Sequence, residues 1–337
     1  AEKRVPQDGR IKLKLKNQEV DVRVSVIPMV HGEAVVLRLL RQSGTLEGLE
    51  ALGMGQRESH LMQRVLGLPH GIVLVTGPTG SGKTTTLYAA LQAINNVERK
   101  IITIEDPVEY RIKGINQIQI AEKAGLSFAK GLRAILRHDP DVVLVGEIRD
   151  TETARIAVQA SLTGHLVFST LHTNDAPGAL PRLVEMGVEP YLVASSVDTI
   201  LAQRLIRLLC PKCKRQDASP DTERLTATWN TPSNPMFYGP VGCDHCRQTG
   251  YRGRKAIFEM MAVTEEIRQL VLDHKSAGDI RALARRQGLR SLREDGQRLV
   301  FAGLTSVEEI VRVTSDADDG ALATLEAFAA PATNGKG

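Results

Sequence analysis

Eight consecutive residues, Gly77 to Thr84, read GPTGSGKT, in which small residues surround one lysine and a hydroxyl side chain ends the run. Small residues let backbone N–H groups approach phosphate oxygens, while Lys83 supplies a positive charge and Thr84 a ligand for Mg2+. A glycine turn without a ligand is the alternative, but a β-branched run precedes the motif and a helical stretch follows it. We therefore predict a phosphate-binding loop formed by Gly77, Pro78, Thr79, Gly80, Ser81, Gly82, Lys83, Thr84 and Thr85.

Polar side chains follow three other apolar runs of the same region. Glu147 comes shortly after the apolar run VVLV. In phosphate-binding domains, an acid in this position after a strand holds a water molecule or Mg2+ beside the phosphate. Glu105 and Asp106 follow IITI, whereas His172 follows LVFSTL and His165 precedes it. Because the carboxyl ends of parallel strands share one sheet edge, we expect the acids and His172 to converge on the phosphates. Helix capping by the acids and burial of a hydrogen-bonded histidine are the structural alternatives.

The four cysteines form two C-x-x-C pairs, Cys210 with Cys213 and Cys243 with Cys246, with 29 residues between the pairs. Each pair presents two thiolates on a tight turn, and two such turns complete a closed tetrahedral zinc site. A dithiol redox centre at the first pair is the alternative, but it leaves the second pair without a role. We predict a structural Zn2+ that stabilises a small subdomain with little core of its own.

The region around the phosphate loop alternates short β-branched runs with helical stretches, which is typical of an α/β domain with a mainly parallel sheet. The predicted strands are 72–76, 101–104, 142–145 and 166–169. The predicted helices are 83–95, 127–138 and 151–162. Asp150 or Thr151 is expected to cap the last helix. This order places the acids and His172 at the carboxyl ends of the strands.

The flanking regions follow other patterns. Alternating apolar and polar residues on either side of Asn17 and Gln18 predict a β-hairpin, and a strand over 34–40 follows it. So short a segment buries too little core to fold alone, so we expect the end of a larger domain. Helices are predicted to start at Thr264, Ser291 and Ser306, after an irregular loop at 216–235. The predicted regions are a β-rich part (1–44), a linker (45–58), a phosphate-loop domain (59–207), a tetracysteine subdomain (208–256), a helical region (257–315) and a flexible tail (316–337).

Composition and charge exclude several classes of protein. The 337 residues are 42% hydrophobic and 24% charged, with a net charge of +4. This charge demands no polyanionic partner, and 4% aromatic residues leave little for base stacking, so no direct nucleic-acid binding is expected. No apolar run reaches the roughly 18 residues that span a bilayer, and the chain does not start with a signal peptide. We expect a cytoplasmic or peripheral protein.

Four runs resemble the motifs of the secretion ATPase superfamily, in the order found in that superfamily. They are GPTGSGKTTTLYAAL, ITIEDPVEY, LRAILRHDPDVVLVGEIRD and ASLTGHLVFSTLHTNDA, which match its Walker A motif, aspartate box, Walker B motif and histidine box. With both C-x-x-C pairs and the run GYRGRKAIFEM, the chain is most similar to the type II secretion ATPases. The resemblance implies a RecA-like P-loop ATPase domain with a zinc-stapled subdomain and C-terminal helices, preceded by the β-rich end of a truncated, PAS-like N-terminal domain.

The resemblance also implies roles for individual residues. Lys83 and Thr84 would bind the phosphates and Mg2+ of ATP, and either Glu105 or Glu147 would orient the attacking water. His165 and His172 would belong to the histidine box, and Asp106 to the aspartate box. Two arginines of the preceding domain would approach the γ-phosphate, and these match Arg23 and Arg38. The sequence alone leaves four further arginines as candidates for that contact, namely Arg133, Arg137, Arg149 and Arg155.

By the same resemblance, the chain would hydrolyse ATP as a homo-hexamer at the cytoplasmic face of the inner membrane. Its partners would be cytoplasmic domains of the L-type and F-type platform proteins, and it would drive pseudopilus assembly and protein export. A type IV pilus assembly ATPase is the alternative within the superfamily. A DNA-translocating motor and a non-hydrolysing, nucleotide-gated scaffold are alternatives from other classes. The N-terminal region that docks type II secretion ATPases on the membrane is not recognised, so recruitment is expected to be missing or the chain shortened.

Overall fold

The computed structural model describes residues 2–15, 18–41, 48–227, 229–233 and 235–315. Within these ranges the strands form sheets of three, two and seven strands. None of the helices in the described ranges combines the length and apolar character needed to cross a bilayer. The predicted tail at 316–337 lies outside the described residues.

The three-stranded sheet contains β1 (Gln7–Leu15), β2 (Gln18–Met29) and β3 (Gly32–Arg41). The strands are antiparallel in the order β1-β2-β3, which confirms the predicted hairpin and the strand after it. The predicted turn residue Asn17 lies outside the described part of the chain. Ile11, Val22 and Leu39 are directly opposite one another, so the alternation of the sequence gives this sheet one apolar face.

The remaining strands are β4 (Gly71–Thr76), β5 (Ile101–Glu105), β6 (Asn116–Gln119), β7 (Val142–Val145), β8 (Leu166–Leu171), β9 (Val197–Leu209), β10 (Arg215–Gln216), β11 (Tyr238–Gly239) and β12 (Tyr251–Ala262). The seven-stranded sheet has the order β12-β9-β4-β8-β7-β5-β6. All neighbours in it are parallel except β12, which is antiparallel to β9. The predicted mainly parallel sheet is therefore confirmed, with β8 at its centre and β4 next to it.

The helices are α1 (Gln56–Leu66), α2 (Lys83–Ile94), α3 (Phe128–Ile135), α4 (Thr151–Leu162), α5 (Ala179–Glu185), α6 (Pro190–Ser196), α7 (Pro220–Thr226), α8 (Glu265–Leu272), α9 (Ala277–Arg286), α10 (Leu292–Phe301) and α11 (Val307–Thr314). They cover both faces of the large sheet. Val73 and Val75 of β4 pack with α1 and α2, while Ile72 and Leu74 pack with α3 to α6 and the C-terminal helices. Each fully buried aliphatic side chain contributes about 1.5–3 kcal/mol to this two-sided core.

Several helix starts follow from local capping. The Asp150 carboxylate accepts the Thr153 N–H at 2.8 Å, which confirms Asp150 as the cap of α4. Thr264, Ser291 and Ser306 likewise cap α8, α10 and α11, as predicted. Each such cap stabilises its helix by about 1 kcal/mol.

Two predictions about connecting segments need correction. α1 begins at Gln56, inside the predicted linker 45–58, because Gly55 provides an extended N-cap and Met62 and Val65 are buried against the sheet. α7 lies inside the predicted irregular loop, where the Ser219 side chain accepts the Thr222 N–H and Pro220 occupies the first turn. The boundary predicted at residue 256 falls within β12.

Candidate functional site

The phosphate loop connects the carboxyl end of β4 to α2. Gly77 has φ +143° and Gly82 has φ +90°, and a Cβ at Gly77 would lie 2.4 Å from the Gln203 carbonyl oxygen. Both positions therefore require glycine. Lys83 Nζ donates to the carbonyl oxygens of Gly77 at 2.6 Å and Pro78 at 3.1 Å, so the lysine folds back over the loop.

Polar atoms of the loop fit a phosphate ligand. The Ser81 Oγ atom is buried and has no hydrogen-bond partner among the described residues. Thr84 lies in the first turn of α2, where the helix N-terminus favours negative charge. Burial lowers the pKa of Lys83, an effect opposed by the Glu147 carboxylate and increased by Arg204. The Thr84 hydroxyl and the Glu147 carboxylate are the hard oxygen donors that Mg2+ prefers.

Glu147 lies one residue beyond Gly146, which follows the end of β7. Its side chain is 14% exposed; Oε1 lies 2.6 Å from the Arg149 guanidinium, and Oε2 lies 3.4 Å from His172 Nε2. His172 immediately follows β8, so the structure brings together the ends of two adjacent parallel strands. The structure thus brings Glu147 and His172 together at this edge of the sheet, while their approach to a phosphate stays a prediction.

The loop after His172 is fixed by contacts to other elements. The Thr173 N–H donates to Thr76 Oγ1 at 2.8 Å, and the Ala176 N–H donates to Glu259 Oε1 at 2.7 Å. Asp175 accepts the Gly178 N–H at 2.8 Å and forms an ion pair with Arg281 of α9. Burial raises the pKa of Glu259 to about 7, with a further contribution from nearby Asp175.

Glu105 is in a different environment from Glu147. It is 3% exposed, and one carboxylate oxygen accepts from Thr103 Oγ1 at 2.5 Å and from Gln117 Nε2 at 3.3 Å. The other oxygen accepts the Tyr88 hydroxyl, which comes from α2. Burial raises the pKa of Glu105, although these hydrogen bonds oppose the effect. Glu105 thus joins the phosphate-loop helix to β5 and β6, with both of its oxygens engaged.

The other predicted site residues lie at different distances from the loop. Asp106 is exposed beyond β5 and precedes a cis proline, Pro107. His165 lies at the amino end of β8, with Nδ1 2.8 Å from the Ala160 carbonyl oxygen. Since a six-residue strand spans about 20 Å, the structure does not bring His165 to the phosphate loop. His165 instead lines a cavity of about 890 Å³ beside α3 and α4, which Arg133, Arg137 and Arg155 also line.

The predicted arginines Arg23 and Arg38 belong to the three-stranded sheet, on β2 and β3. Arg149 is the candidate arginine that contacts a site acid, Glu147. Arg133 and Arg155 pair instead with Glu152 and Glu189, away from the loop.

Two site residues on β9 were not predicted, namely Gln203 and Arg204. Gln203 Nε2 donates to the Ser81 carbonyl oxygen at 2.8 Å, and its Oε1 accepts from Thr86 Oγ1 at 2.7 Å. Arg204 is 6% exposed and donates to the Asn174 carbonyl oxygen at 2.8 Å. These residues support the loop from the neighbouring strand. Their one sequence signal is a pair of polar residues within an otherwise apolar run.

The four cysteine sulfurs form one cluster, with all Sγ atoms within 4.8 Å of one another. Sγ separations are 3.9 Å for Cys210 and Cys243, and 3.8 Å for Cys246 with both Cys213 and Cys243. Zn–S bonds of about 2.3 Å in a tetrahedron give S···S edges of about 3.8 Å, whereas a disulfide would need about 2 Å. The four side chains therefore fit a tetrahedral Zn2+.

Backbone groups around the cluster favour thiolate at one cysteine. Cys246 Sγ accepts the N–H groups of Cys243 and Gly250, each at 3.2 Å. Although burial acts in the opposite direction, these bonds lower the pKa of Cys246 to about 6. A thiolate is the form of cysteine that binds Zn2+.

Comparison with known proteins gives consistent matches. The chain is 53% identical over 317 residues to Type II secretion system protein E of Pseudomonas aeruginosa, covering 94% of this chain and 63% of that protein. It is 52% identical over 318 residues to Type II secretion system ATPase E of Vibrio cholerae, with 94% and 63% coverage. The chain thus spans less than two thirds of the length of these relatives.

Among solved structures, the pilus retraction motor PilT with bound ADP matches with a TM-score of 0.68 and 27% identity, covering 95% of this chain and 80% of PilT. The ATPase DotB of Legionella pneumophila shares the fold at 22% identity, with a TM-score of 0.67 and coverage of 92% and 78%. The sequence profile described as Type II/IV secretion system protein matches residues 1–312. The chain therefore belongs to the Type II/IV secretion system protein family.

Proposed function

We propose that the chain is the ATP-hydrolysing motor of a type II secretion system, which powers pseudopilus assembly and protein export across the outer membrane. The observation that carries the proposal is the position of Glu147. This largely buried carboxylate contacts His172, and its negative charge raises the pKa of Lys83 in the phosphate loop, which burial lowers. The high identity to type II secretion proteins supports this branch of the family.

The residues of the site support a hydrolytic mechanism. On phosphate binding, Lys83 would exchange its bonds to Gly77 and Pro78 for bonds to the β- and γ-phosphates. A water held by Glu147 would attack the γ-phosphorus and give its proton to the carboxylate, while the bond to the bridging oxygen breaks and ADP leaves. Mg2+, held through Thr84, would neutralise charge that develops on the phosphates.

The arrangement of subunits and partners forms part of the same proposal. We infer a homo-hexamer at the cytoplasmic face of the inner membrane, in contact with cytoplasmic domains of the L-type and F-type platform proteins. Arg23 and Arg38 would approach the γ-phosphate from the preceding sheet. The cysteine cluster would hold Zn2+ as a structural ion, since its four ligands leave no open position.

The alternative functions make different predictions. A type IV pilus assembly ATPase is the second candidate, because the fold is also that of PilT, a motor that acts on pili by retracting them. A DNA-translocating motor predicts stimulation by DNA and binding that weakens steeply with salt. A scaffold predicts nucleotide-dependent assembly without phosphate release.

The test is phosphate release from Mg-ATP over a range of protein concentrations, with and without DNA. We expect turnover per subunit to rise with concentration as subunits assemble, and to be lost in Lys83→Ala and Glu147→Gln. Unchanged turnover in Glu147→Gln would refute the assigned water-orienting role. Nucleotide binding without phosphate release, at any concentration, would favour the scaffold.

A further inference from the structure

Three arginines lie directly opposite one another across the three-stranded sheet. The strand register pairs Arg10 of β1 with Arg23 of β2, and Arg23 with Arg38 of β3. Residues directly opposite in antiparallel strands point to the same face, with Cβ atoms about 5 Å apart. Three positive charges therefore stand side by side in what we call the arginine row.

Neighbouring positions of the same face do not repeat this arrangement. The register places Lys12 opposite Asp21, and Lys14 opposite Glu19, so each lysine has an acidic residue as its register partner. In the arginine row, by contrast, the register partner of each arginine is another arginine and not an acidic residue. Because like charges directly opposite destabilise a sheet, the row is unfavourable unless an anion lies against it.

The hydrogen bonds of the row are incomplete. Arg23 Nε and Nη2 are buried and have no hydrogen-bond partner among the described residues. Arg10 Nη1 donates to Oε1 of Gln119 on β6 at 3.2 Å, and this amide oxygen is an acceptor without a charge. None of the three arginines forms an ion pair with a carboxylate in the described part of the chain. A buried guanidinium left in this state is costly, so the row is suited to an incoming anion.

We propose that Arg10, Arg23 and Arg38 form one binding site for the phosphate groups of a nucleotide, in which Arg10 is a third, previously unassigned member. Guanidinium groups bind phosphate through paired N–H donors, and three of them match the multiple charges of a polyphosphate. Gln119 pairs in register with Glu105, so the bond from Arg10 also links the row to the strand end of the aspartate box. This inference rests on the proposed nucleotide-dependent function.

The experiment compares Arg10→Gln with Lys12→Gln in the full chain. Both changes remove one positive charge from the same face, but only the first removes it from the row. Sodium tripolyphosphate is the probe, titrated calorimetrically at fixed ionic strength into chains that also carry Lys83→Ala, which weakens binding at the phosphate loop. We expect Arg10→Gln to weaken tripolyphosphate binding at least tenfold relative to Lys12→Gln. Equal affinities in the two chains would overturn the proposal.

Two further measurements separate the possible failures. With Lys83 intact, we expect Arg10→Gln to reduce kcat for Mg-ATP at least tenfold, with Lys12→Gln close to wild type. The wild type could show no ATPase activity while Arg10→Gln still weakens tripolyphosphate binding. That result would refute the proposed motor function but support the arginine row as a phosphate-binding site. Binding of hexaglutamate but not tripolyphosphate would assign the row to an acidic protein segment and overturn the phosphate assignment.

Thermal unfolding provides a control for folding. Because Arg10→Gln relieves repulsion, we expect its midpoint without anion to be no lower than that of Lys12→Gln. A clearly lower midpoint for Arg10→Gln would mean that Arg10 stabilises the sheet, contrary to the repulsion on which the proposal is based.

Discussion

The Tyr88 hydroxyl offers a direct way to test how the phosphate-loop helix is connected to the sheet. It donates to the buried Glu105 carboxylate and accepts the Glu109 N–H at 3.3 Å. Tyr88→Phe keeps the ring in the core but removes the hydroxyl. Removing one hydrogen-bond donor from a buried carboxylate lowers the stability of the folded state by about 1–3 kcal/mol. We therefore expect Tyr88→Phe to lower the free energy of unfolding by about 2 kcal/mol.

A double-mutant cycle with Glu105→Gln identifies the source of that loss. If the cost arises from the unsatisfied carboxylate, Tyr88→Phe should be much less destabilising when residue 105 is glutamine. The expected coupling is about 1–2 kcal/mol, within the range found for contacting residues. Urea unfolding monitored by tryptophan fluorescence and by circular dichroism would measure all four chains. A Tyr88→Phe change within about 0.5 kcal/mol of wild type would refute the argument.

The pH dependence adds a second signature. Burial raises the pKa of Glu105 above its unfolded value, so the folded state binds the proton more tightly. Its contribution to stability is present below the unfolded pKa and is lost as the pH rises through the folded pKa. Glu105→Gln should remove this decline. The same variant should retain ATP turnover within about tenfold if Glu105 positions α2, whereas loss of turnover with normal nucleotide binding would mean that Glu105 orients the water.

Two other predictions concern the metal cluster and Glu259. Protein purified without chelator should contain about one zinc per chain, and Cys243→Ser should lower the thermal midpoint with little change in nucleotide affinity; loss of nucleotide binding alone would contradict this role. Since burial raises the pKa of Glu259 from 4.5 to about 7, its contribution to stability should decline by about 3 kcal/mol as the pH rises through that interval. Glu259→Gln should flatten the stability profile between these pH values, and an unchanged slope would exclude Glu259 as its source.

Local signals were sufficient for much of the fold. The β-branched run 142–145 and the helix 151–162 occur at the predicted residues, because strand composition and the Asp150 cap act within a few residues. β6 was not predicted because its sequence, NQIQ, has little strand character and it pairs at the sheet edge. β9 and β12 depend on pairing with distant strands, which short-range patterns do not specify.

The site was predictable where a motif coincides with a strand end. Glu147 and His172 meet because β7 and β8 are adjacent and parallel. His165 belongs to the same run of sequence, but the strand carries it to the opposite end. Gln203 and Arg204 were missed because their roles depend on contacts with other segments of the chain: Ser81 is 122 positions from Gln203, and Asn174 is 30 positions from Arg204.

β9 continues from the support of the phosphate loop to the cysteine cluster. Gln203 contacts Ser81, and Cys210 follows the last residue of the strand. From Gln203 to Leu209, β9 is hydrogen-bonded to the antiparallel strand β12, and the two strands form a ribbon about 20 Å long. This ribbon therefore connects the phosphate loop directly to the cysteine cluster. If the cysteine cluster holds Zn2+ as proposed, a displacement of the phosphate loop would be transmitted along the ribbon to the metal site, and loss of the metal would weaken that connection.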